Sequence, residues 1–441
     1  MSKLGRIAKL GTLTTRVSGS YLGQQVAGLF QGEESRKSSM RKLHLENAER
    51  IVDNLGALKG AAMKVGQAVA QVADSLDLPA DARAVLGRLH DKAVPVPFEQ
   101  VKSRIEAELG GATESLFARL DPEPLGTASL GQVHAAQLKD GQEVVVKVLH
   151  AGVEEAIHSD LAALKAMLVG GRFLRRPKEE IDAWFDEIDA RLAEEIDYRK
   201  EAENTIAFRR LLAGEEGVIV PRVHEGWCTG RVLTLERLSG RPLSQFIATS
   251  TAAARQAAGV RLARTFFHLF YWHRACHADP HPGNYLFMPD GRIGLIDFGC
   301  VRYFDLEWVA HYGGCAWYTK VGDKERVMEH ALGMGALARR DANAEDALWT
   351  LCRAIGVPFR GGDYTVGGPE DDAHEQITRA MPRVMVNPTL RAPQELVFLH
   401  RALGGIYSIN KQLKPSYDWG ELLRESYQTT LFDSGRSSSG L

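Results

Sequence analysis

The sequence predicts an α+β fold with two lobes, of which the first contains strands and the second is mainly helical. With 441 residues, 44% of them hydrophobic and 25% charged, the chain can bury the core of a two-lobed domain and still carry extensions. Residues 125–150 read as two strands joined by an Asp-Gly turn. Residues 276–299 hold a second hairpin between polar residues that are spaced as in the catalytic loop of a protein kinase. Together these features predict a protein-kinase-like fold.

Composition and cysteine usage narrow the class of protein. The net charge of −2 gives no overall attraction to nucleic acid, and we expect no nucleic-acid partner. The five cysteines include no C-x-x-C pair, which favours a reducing compartment without a disulfide framework. No run of about 18 apolar residues is present, so we expect no membrane-spanning helix. The sequence therefore predicts a cytoplasmic protein, and it carries no signal for an oligomeric state.

Residues 1–32 form a basic amphipathic segment, and a charged linker continues it to residue 46. Apolar residues recur at steps of three and four in this segment. Its basic residues occur without any acidic residue: Lys3, Arg6, Lys9 and Arg16. We expect peripheral contact with an anionic membrane, because the apolar and basic faces of such a helix bind together. A helix docked on the protein itself, a flexible terminus and a transit peptide are the alternatives.

Residues 47–118 are predicted to form a helical extension. Apolar residues recur on one helical face between residues 51 and 72, and another helix is expected from about Pro97 to Leu109. The first stretch contains the tetrapeptide Lys64-Val65-Gly66-Gln67. From the residues alone, this tetrapeptide is an ordinary helix surface with an unfavourable glycine.

Residues 119–240 are predicted to be a kinase-like N-lobe with inserted helices at about residues 152–170 and 178–194. Small residues before the Asp-Gly hairpin let the backbone approach the phosphates of a nucleotide. These residues are Gly126, Thr127, Ala128 and Ser129. The next strand carries a V-x-x-K pattern, which assigns Lys147 to the α- and β-phosphates. A surface lysine on an edge strand is the alternative.

The partner of Lys147 should be a glutamate on a helix near residues 194–204. Spacing alone does not choose among the acidic residues there, which are Glu194, Glu195, Asp197, Glu201 and Glu203. The apolar run 232–238 predicts a strand leading into the hinge between the lobes. Adenine would meet backbone groups there, close to Glu236.

Residues 241–431 are predicted to be a helical C-lobe, followed by a disordered tail at 432–441. An aromatic-rich helix through Phe266 and Phe270 leads to the catalytic loop. After Gly299 the A-P-E sequence of a protein kinase activation segment is missing. Residues 306–355, 392–413 and 420–431 look helical, with a Gly- and Pro-rich loop at 356–372.

The polar residues of segment 276–299 fit the needs of phosphoryl transfer. Asp279 and Asn284 stand five apart, and Asp297 heads an Asp-Phe-Gly after a hairpin turned at residues 289–291. Phosphoryl transfer requires a hard carboxylate on Mg²⁺, a second oxygen ligand and a carboxylate near the attacking oxygen. We assign these roles to Asp297, Asn284 and Asp279 in that order. ATP and Mg²⁺ are therefore the expected cofactors.

A metal site built on histidines is the competing interpretation of the same segment. Its candidate ligands are His273, His277, Asp279 and His281, the first two of which are expected at a helix end. The kinase pattern is preferred, because a zinc site gives no role to Asn284 or Asp297. In that case His277 orders the loop.

With these motifs assembled, the chain resembles the UbiB/AarF-type atypical kinase-like family, whose eukaryotic members support ubiquinone biosynthesis. The resemblance runs from about Leu55 to Arg302. Four segments match family motifs: 64–67 resembles K-x-G-Q, 128–134 resembles A-S-x-G-Q-V-H, 195–197 resembles E-x-D, and 279–284 resembles D-P-x-x-x-N.

The resemblance implies a kinase-like fold in which the K-x-G-Q helices cover the cleft where a protein kinase binds its peptide. It also implies ATPase activity tied to lipid biosynthesis, with a lipid or isoprenoid small molecule as a partner. Four residues would be regulatory: Lys64, Gln67, Glu195 and Asp197. Assigning Glu195 and Asp197 to the E-x-D motif leaves Glu201 as the ion-pair partner of Lys147. The phosphate loop departs from the family pattern, since Gly126-Thr127 stands where two alanines are usual.

Two other functions fit part of this pattern. A small-molecule phosphotransferase also carries an H-x-D-x-x-x-x-N loop, but it would not need Lys64 or Gln67. A nucleotide-binding scaffold would recruit other enzymes without turnover. The leading hypothesis is a Mg-ATP-dependent atypical kinase or ATPase that acts in lipid metabolism near a membrane.

Overall fold

The computed structural model describes residues 95–127, 130–170 and 178–433, together with the single residues Thr12, Ser20, Leu43 and Glu46. The chain divides into two compact units. Unit 1 takes the chain up to Ala202 and Val223–Arg237, and unit 2 takes Glu203–Arg222 and Leu238 onwards. The membrane contact predicted for residues 1–32, the K-x-G-Q helix and residues 434–441 of the predicted tail lie outside the described residues. The predicted domain boundaries stay predictions.

Helices and short strands both occur along the described part of the chain. The helices are α1 (Phe98–Leu109), α2 (Thr113–Leu116), α3 (Val153–Gly170), α4 (Lys178–Glu195), α5 (Tyr198–Leu211), α6 (Leu243–Thr249), α7 (Ala252–Phe267), α8 (Leu306–Val321), α9 (Lys324–Gly333), α10 (Ala342–Ile355), α11 (Ala373–Met385), α12 (Gln394–Leu413) and α13 (Trp419–Asp433). The strands are β1 (Phe117–Thr127), β2 (Gly131–Leu138), β3 (Glu143–Leu149), β4 (Val218–Ile219), β5 (Val232–Glu236), β6 (Ala275–His277), β7 (Tyr285–Phe287), β8 (Ile293–Leu295), β9 (Val301–Tyr303), β10 (Tyr364–Thr365) and β11 (Ser416–Tyr417).

Unit 1 is built on an antiparallel sheet with the strand order β1-β2-β3-β5. The predicted Asp-Gly turn joins β2 to β3, and Gly141 has a φ of 88°, which an L side chain rarely adopts. Alternate residues of β3, Val144, Val146 and Val148, are buried in a cluster with residues of α1. Because strand side chains alternate between faces, Lys147 lies on the opposite face of the sheet from this cluster.

Unit 2 is mainly helical, with a core that includes residues of α7, α12 and α13. The aromatic-rich helix predicted before the catalytic loop is buried as expected, with Phe266 and Phe270 6% and 1% exposed. After Phe267 the chain continues into a π-helical turn, His268–Trp272, and then enters the short strand β6. The antiparallel hairpin β7–β8 follows at the predicted position, with the turn glycine Gly291 at a φ of 88°.

One local prediction needs correction in unit 2. His277 lies in strand β6 and not at a helix end, because the helix stops earlier and the chain extends into a pair with β9. The stretch 306–355 is helical as predicted and consists of three helices, of which the first ends at Val321 and is capped by Gly322 with a φ of 84°. Helix α11 was not predicted, because Pro382 lies inside it and few of its residues are buried.

None of the helices in the described part of the chain combines the length and the apolar composition of a membrane span. None of the five cysteines, all of which are described, forms a disulfide bond.

Candidate functional site

Lys147 and Glu201 form a buried ion pair in unit 1. The Lys147 Nζ atom lies 2.5 Å from Glu201 Oε1, and the two side chains are 11% and 6% exposed. The same Nζ atom lies 5.6 Å from the centroid of the Tyr198 ring, close enough for a cation–π interaction. Of the five acidic residues that the sequence left open, the structure therefore pairs Glu201 with Lys147.

Glu201 lies in the first turn of helix α5, which begins directly after the E-x-D segment 195–197. The carboxylate of Asp197 accepts a hydrogen bond from the backbone N–H of Arg199 at 3.0 Å, which is a capping interaction at a helix N-terminus. Asp197 is exposed, whereas Ile196 and Tyr198 are buried on either side of it. The side chain of Glu195 lies outside the described residues.

The predicted phosphate loop is described only in part. Gly126 and Thr127 end strand β1, and Ala128 and Ser129 lie outside the described residues. Gly131 opens β2, where a Cβ atom would lie 2.6 Å from the carbonyl oxygen of Val148. Only glycine fits at that position, since the two strands approach too closely for a side chain. Glu236 is the last residue of β5 and pairs across the sheet with Val144.

A buried polar network lies in unit 1 that sequence reasoning missed. Gln132 Oε1 accepts hydrogen bonds from the backbone N–H of Val96 at 2.6 Å and from His150 Nε2 at 3.2 Å. Its amide nitrogen lies 3.4 Å from His134 Nε2, and His134 Nδ1 donates to the carbonyl of Asp121 at 2.9 Å. These contacts explain why the matched motif A-S-x-G-Q-V-H contains a glutamine and a histidine: both are buried and hydrogen-bonded.

Asp279 and Asn284 lie on one tight loop of unit 2. The carbonyl oxygen of Asp279 accepts hydrogen bonds from the His281 backbone N–H and from Asn284 Nδ2, both at 2.8 Å. The Asn284 amide also lies 3.4 Å from the Asp279 carboxylate. Since the nitrogen end of the Asn284 side chain faces Asp279, its oxygen end faces away from that residue and can act as a ligand.

The Asp297-Phe298-Gly299 segment follows β8 and is held from several sides. The carboxylate of Asp297 accepts a hydrogen bond from the Gly299 N–H at 3.1 Å, and its carbonyl accepts one from His277 Nε2 at 2.5 Å. The Phe298 ring is fully buried, 5.1 Å from the Phe208 ring between centroids. His277 thus holds the Asp297 carbonyl, whereas its predicted role in ordering the catalytic loop stays a prediction.

The histidines of the competing metal hypothesis do not converge. His273 Nε2 contacts His268 Nε2 at 3.2 Å, whereas His281 Nδ1 accepts from the Gly283 N–H at 3.0 Å. Among the described residues, no group of three or more His, Cys, Asp or Glu side chains is arranged to hold a metal ion by itself.

The oxygen donors of the loop fit Mg²⁺ better than a softer metal. Asp297 supplies a carboxylate and Asn284 an amide oxygen, and Mg²⁺ prefers such hard ligands together with water and phosphate oxygens. Two neighbouring groups stay uncharged at neutral pH. Burial raises the pKa of Cys276 to about 12, and burial, with a smaller effect from Asp279, raises the pKa of Tyr285 well above its usual value.

Arg401 is a site residue that the sequence did not reveal. Its Nη2 atom lies 3.3 Å from Asp279 Oδ1, and both side chains are 43% exposed. It is carried by α12, which meets the loop closely, since a Cβ atom on Gly405 would lie 2.2 Å from Pro280 Cγ. No motif could have found Arg401, because 122 residues separate it from Asp279.

Asn204 is the second residue missed, although it lies only three positions after Glu201 on α5. It is 8% exposed, and its Nδ2 atom donates to the carbonyl oxygen of Phe298 at 3.0 Å. A polar residue among the buried positions of an amphipathic helix was the available signal.

A family model described as the ABC1 atypical kinase-like domain matches residues 88–331, a range that contains Lys147, Glu201, Asp279, Asn284 and Asp297. The atypical kinase COQ8B, mitochondrial, of Rattus norvegicus is 32% identical over 97% of this chain and 80% of its own length. The atypical kinase coq-8, mitochondrial, of Caenorhabditis elegans is 29% identical over 98% of this chain, which spans 58% of that relative.

A solved structure, the complex of Rv3197 with erythromycin from Mycobacterium tuberculosis, has a similar fold. Its TM-score is 0.62 at 26% identity, over 88% of this chain and 98% of that chain.

Proposed function

Because the chain belongs to the ABC1 atypical kinase-like family, we propose that it binds Mg-ATP and acts as an ATPase or phosphotransferase. The predicted resemblance to UbiB/AarF-type kinases is confirmed, as is a kinase-like domain of mixed helix and sheet. The proposed activity supports isoprenoid-quinone or other lipid metabolism, since that is the role the resemblance implies.

The buried pair of Lys147 and Glu201 is the observation that carries the proposal. Lysine is rarely buried, and a buried ion pair is often no more stable than apolar residues of similar size. Stability alone therefore gives little reason for this pair. A lysine held by a glutamate, on a strand next to a glycine-containing turn, is the arrangement that protein kinases use for the phosphates of ATP.

Each candidate residue has one role in the proposed mechanism. Lys147 binds the α- and β-phosphates and Glu201 orients it. Asp297 and Asn284 would hold Mg²⁺, which neutralises charge on the β- and γ-phosphates. Asp279 lies near the attacking oxygen and orients it or accepts its proton. Arg401 balances the charge of Asp279 until the acceptor is bound.

The remaining parts of the proposal concern regulation and location. Lys64 and Gln67 would close a lid over the nucleotide through Glu195 and Asp197, so Lys64→Ala should change ATPase activity severalfold. Residues 1–32 would hold the protein at a membrane surface. The relatives named above are mitochondrial, and the cytoplasmic location predicted for this chain stays a prediction.

Calorimetry and ADP release with the purified full chain test the function. We expect Mg-ATP binding and steady ADP release by the wild type. Asp297→Asn should abolish Mg-dependent binding, because it removes the charged hard-oxygen ligand. Asp290→Asn, in the exposed turn of the same hairpin, is the matched control and should behave as wild type.

The outcomes separate the competing functions. Binding without ADP release would favour a scaffold, and transfer to soluble metabolites in place of lipids would favour a small-molecule phosphotransferase. Unchanged Mg-ATP binding by Asp297→Asn would contradict the metal assignment.

A further inference from the structure

Asn204 contacts the Phe298–Gly299 peptide unit, one residue after Asp297. Its Nδ2 atom donates to the Phe298 carbonyl oxygen at 3.0 Å, and the N–H of the same peptide unit, that of Gly299, donates to the Asp297 carboxylate at 3.1 Å. The carbonyl and the N–H of a trans peptide point in opposite directions, and the described residues contain no cis peptide bond. One planar group therefore links the Asn204 amide to the Asp297 carboxylate.

This link fixes the orientation of the carboxylate. Rotation of the Phe298–Gly299 peptide would break both hydrogen bonds at once, and bonds in such a chain polarise one another. The chain before this peptide unit is also restrained, because the Phe298 ring is fully buried and the carbonyl of the preceding peptide, that of Asp297, is bound by His277. The Asn204 contact is one of the two hydrogen bonds that hold this peptide with its Gly299 N–H towards Asp297.

Only a side chain that donates a hydrogen bond can replace Asn204 in its contact with the Phe298 carbonyl. The Phe298 carbonyl is an acceptor in a buried environment, since Asn204 and Phe298 are 8% and 0% exposed. The nearby positions on the same helix, Thr205 and Phe208, are fully buried. Loss of the donor would leave the carbonyl without this bond, and the peptide could then turn to find another partner.

We propose that Asn204 is a positioning residue for Mg²⁺: it holds the peptide that aims the Asp297 carboxylate at the metal. The inference rests on the proposed function, and it assigns to α5 a task beyond carrying Glu201. It predicts that the affinity for Mg²⁺ depends on a side chain that touches neither the metal nor the nucleotide.

The test compares two isosteric substitutions of buried asparagines in unit 2. Asn204→Leu fills the same space without a donor. Asn410→Leu is the matched control, because Asn410 is 3% exposed on α12 and lies against Gly259 of α7. Calorimetry measures ATP binding to the full chain over a series of Mg²⁺ concentrations and again in EDTA.

We expect Asn204→Leu to need about tenfold more Mg²⁺ for half-maximal ATP binding, the size expected for a lost buried hydrogen bond. ATP affinity in EDTA should match the wild type, and excess Mg²⁺ should restore binding. Asn410→Leu should keep the wild-type Mg²⁺ dependence. If Asn204→Leu does not fold, Asn204→Ala replaces it in the test, with the same expected increase in the Mg²⁺ requirement.

Two results would overturn the inference, and they are distinguishable. A folded Asn204 variant with wild-type Mg²⁺ dependence refutes the positioning role alone. Failure of the wild type itself to bind ATP in the presence of Mg²⁺ refutes the proposed function and this inference with it. An equal shift in the Asn410 control would assign the effect to general loosening of unit 2 and also refute the inference.

Discussion

Two ion pairs, Lys147–Glu201 in unit 1 and Arg401–Asp279 in unit 2, differ in burial, although each joins a basic side chain to a carboxylate. The Lys147–Glu201 pair is 2.5 Å long, with side chains 11% and 6% exposed. The Arg401–Asp279 pair is 3.3 Å long, with both side chains 43% exposed. Desolvation makes the first pair costly to break, whereas solvent screens the second. The difference teaches that the first is a fixed part of the fold and the second can exchange partners.

The largest expected effect comes from breaking the buried pair. Lys147→Ala leaves Glu201 charged and without its lysine, so we expect a loss of about 3–5 kcal/mol in the free energy of unfolding, together with weaker ATP binding. Urea unfolding and calorimetry measure the two effects. Lys165→Ala breaks a partly exposed pair with Asp182. This variant should change the free energy of unfolding by less than about 1 kcal/mol. An equal loss of unfolding free energy in Lys147→Ala and Lys165→Ala would show that burial does not set the cost of breaking these two pairs.

A substitution of Asp279, in the exposed pair, should lower turnover without changing nucleotide binding. Asp279→Asn removes the carboxylate that we propose to lie near the attacking oxygen, so we expect turnover to fall by roughly a hundredfold while Mg-ATP affinity stays unchanged. ADP release and calorimetry check the two parts. Equal ADP release from the wild type and the variant would contradict the role of Asp279.

Loss of the basic partner should have a smaller effect. Arg401→Ala should change the free energy of unfolding by less than about 1 kcal/mol, because the pair is exposed. We expect turnover to change severalfold, since Asp279 loses the cation that balances its charge. Arg379→Ala, on the exposed face of α11, is the control and should leave turnover unchanged. A large loss of stability in the Arg401 variant would show that this pair is also structural.

The smallest expected effect is a pH dependence of stability that comes from His400, the residue before Arg401. Burial lowers the pKa of His400 to about 4, below the ordinary value of about 6.5. The unfolded chain therefore binds a proton that the folded chain does not, and His400 lowers stability as pH falls from about 6.5 to 4. His400→Gln should reduce this loss in thermal melts across that range. The same acid dependence in the variant and the wild type would exclude His400 as its source.

The sequence by itself determined the parts of this protein that are encoded by short-range pattern. The β2–β3 hairpin follows from Asp140-Gly141 before the β-branched run of β3, and the β7–β8 hairpin follows from its own turn residues. The spacing of Asp279 and Asn284 likewise predicted that both lie on one loop, because five residues cannot separate them far. Local geometry suffices for these features.

Only the tertiary structure decided which distant residues meet. It selected Glu201 among five acidic residues by bringing that side chain to Lys147, 54 positions away. It brought Arg401 to Asp279 across 122 positions, and it placed Asn204 on the Phe298 carbonyl across 94. Such contacts depend on how helices pack, and packing is a property of the whole core that a local sequence pattern does not encode.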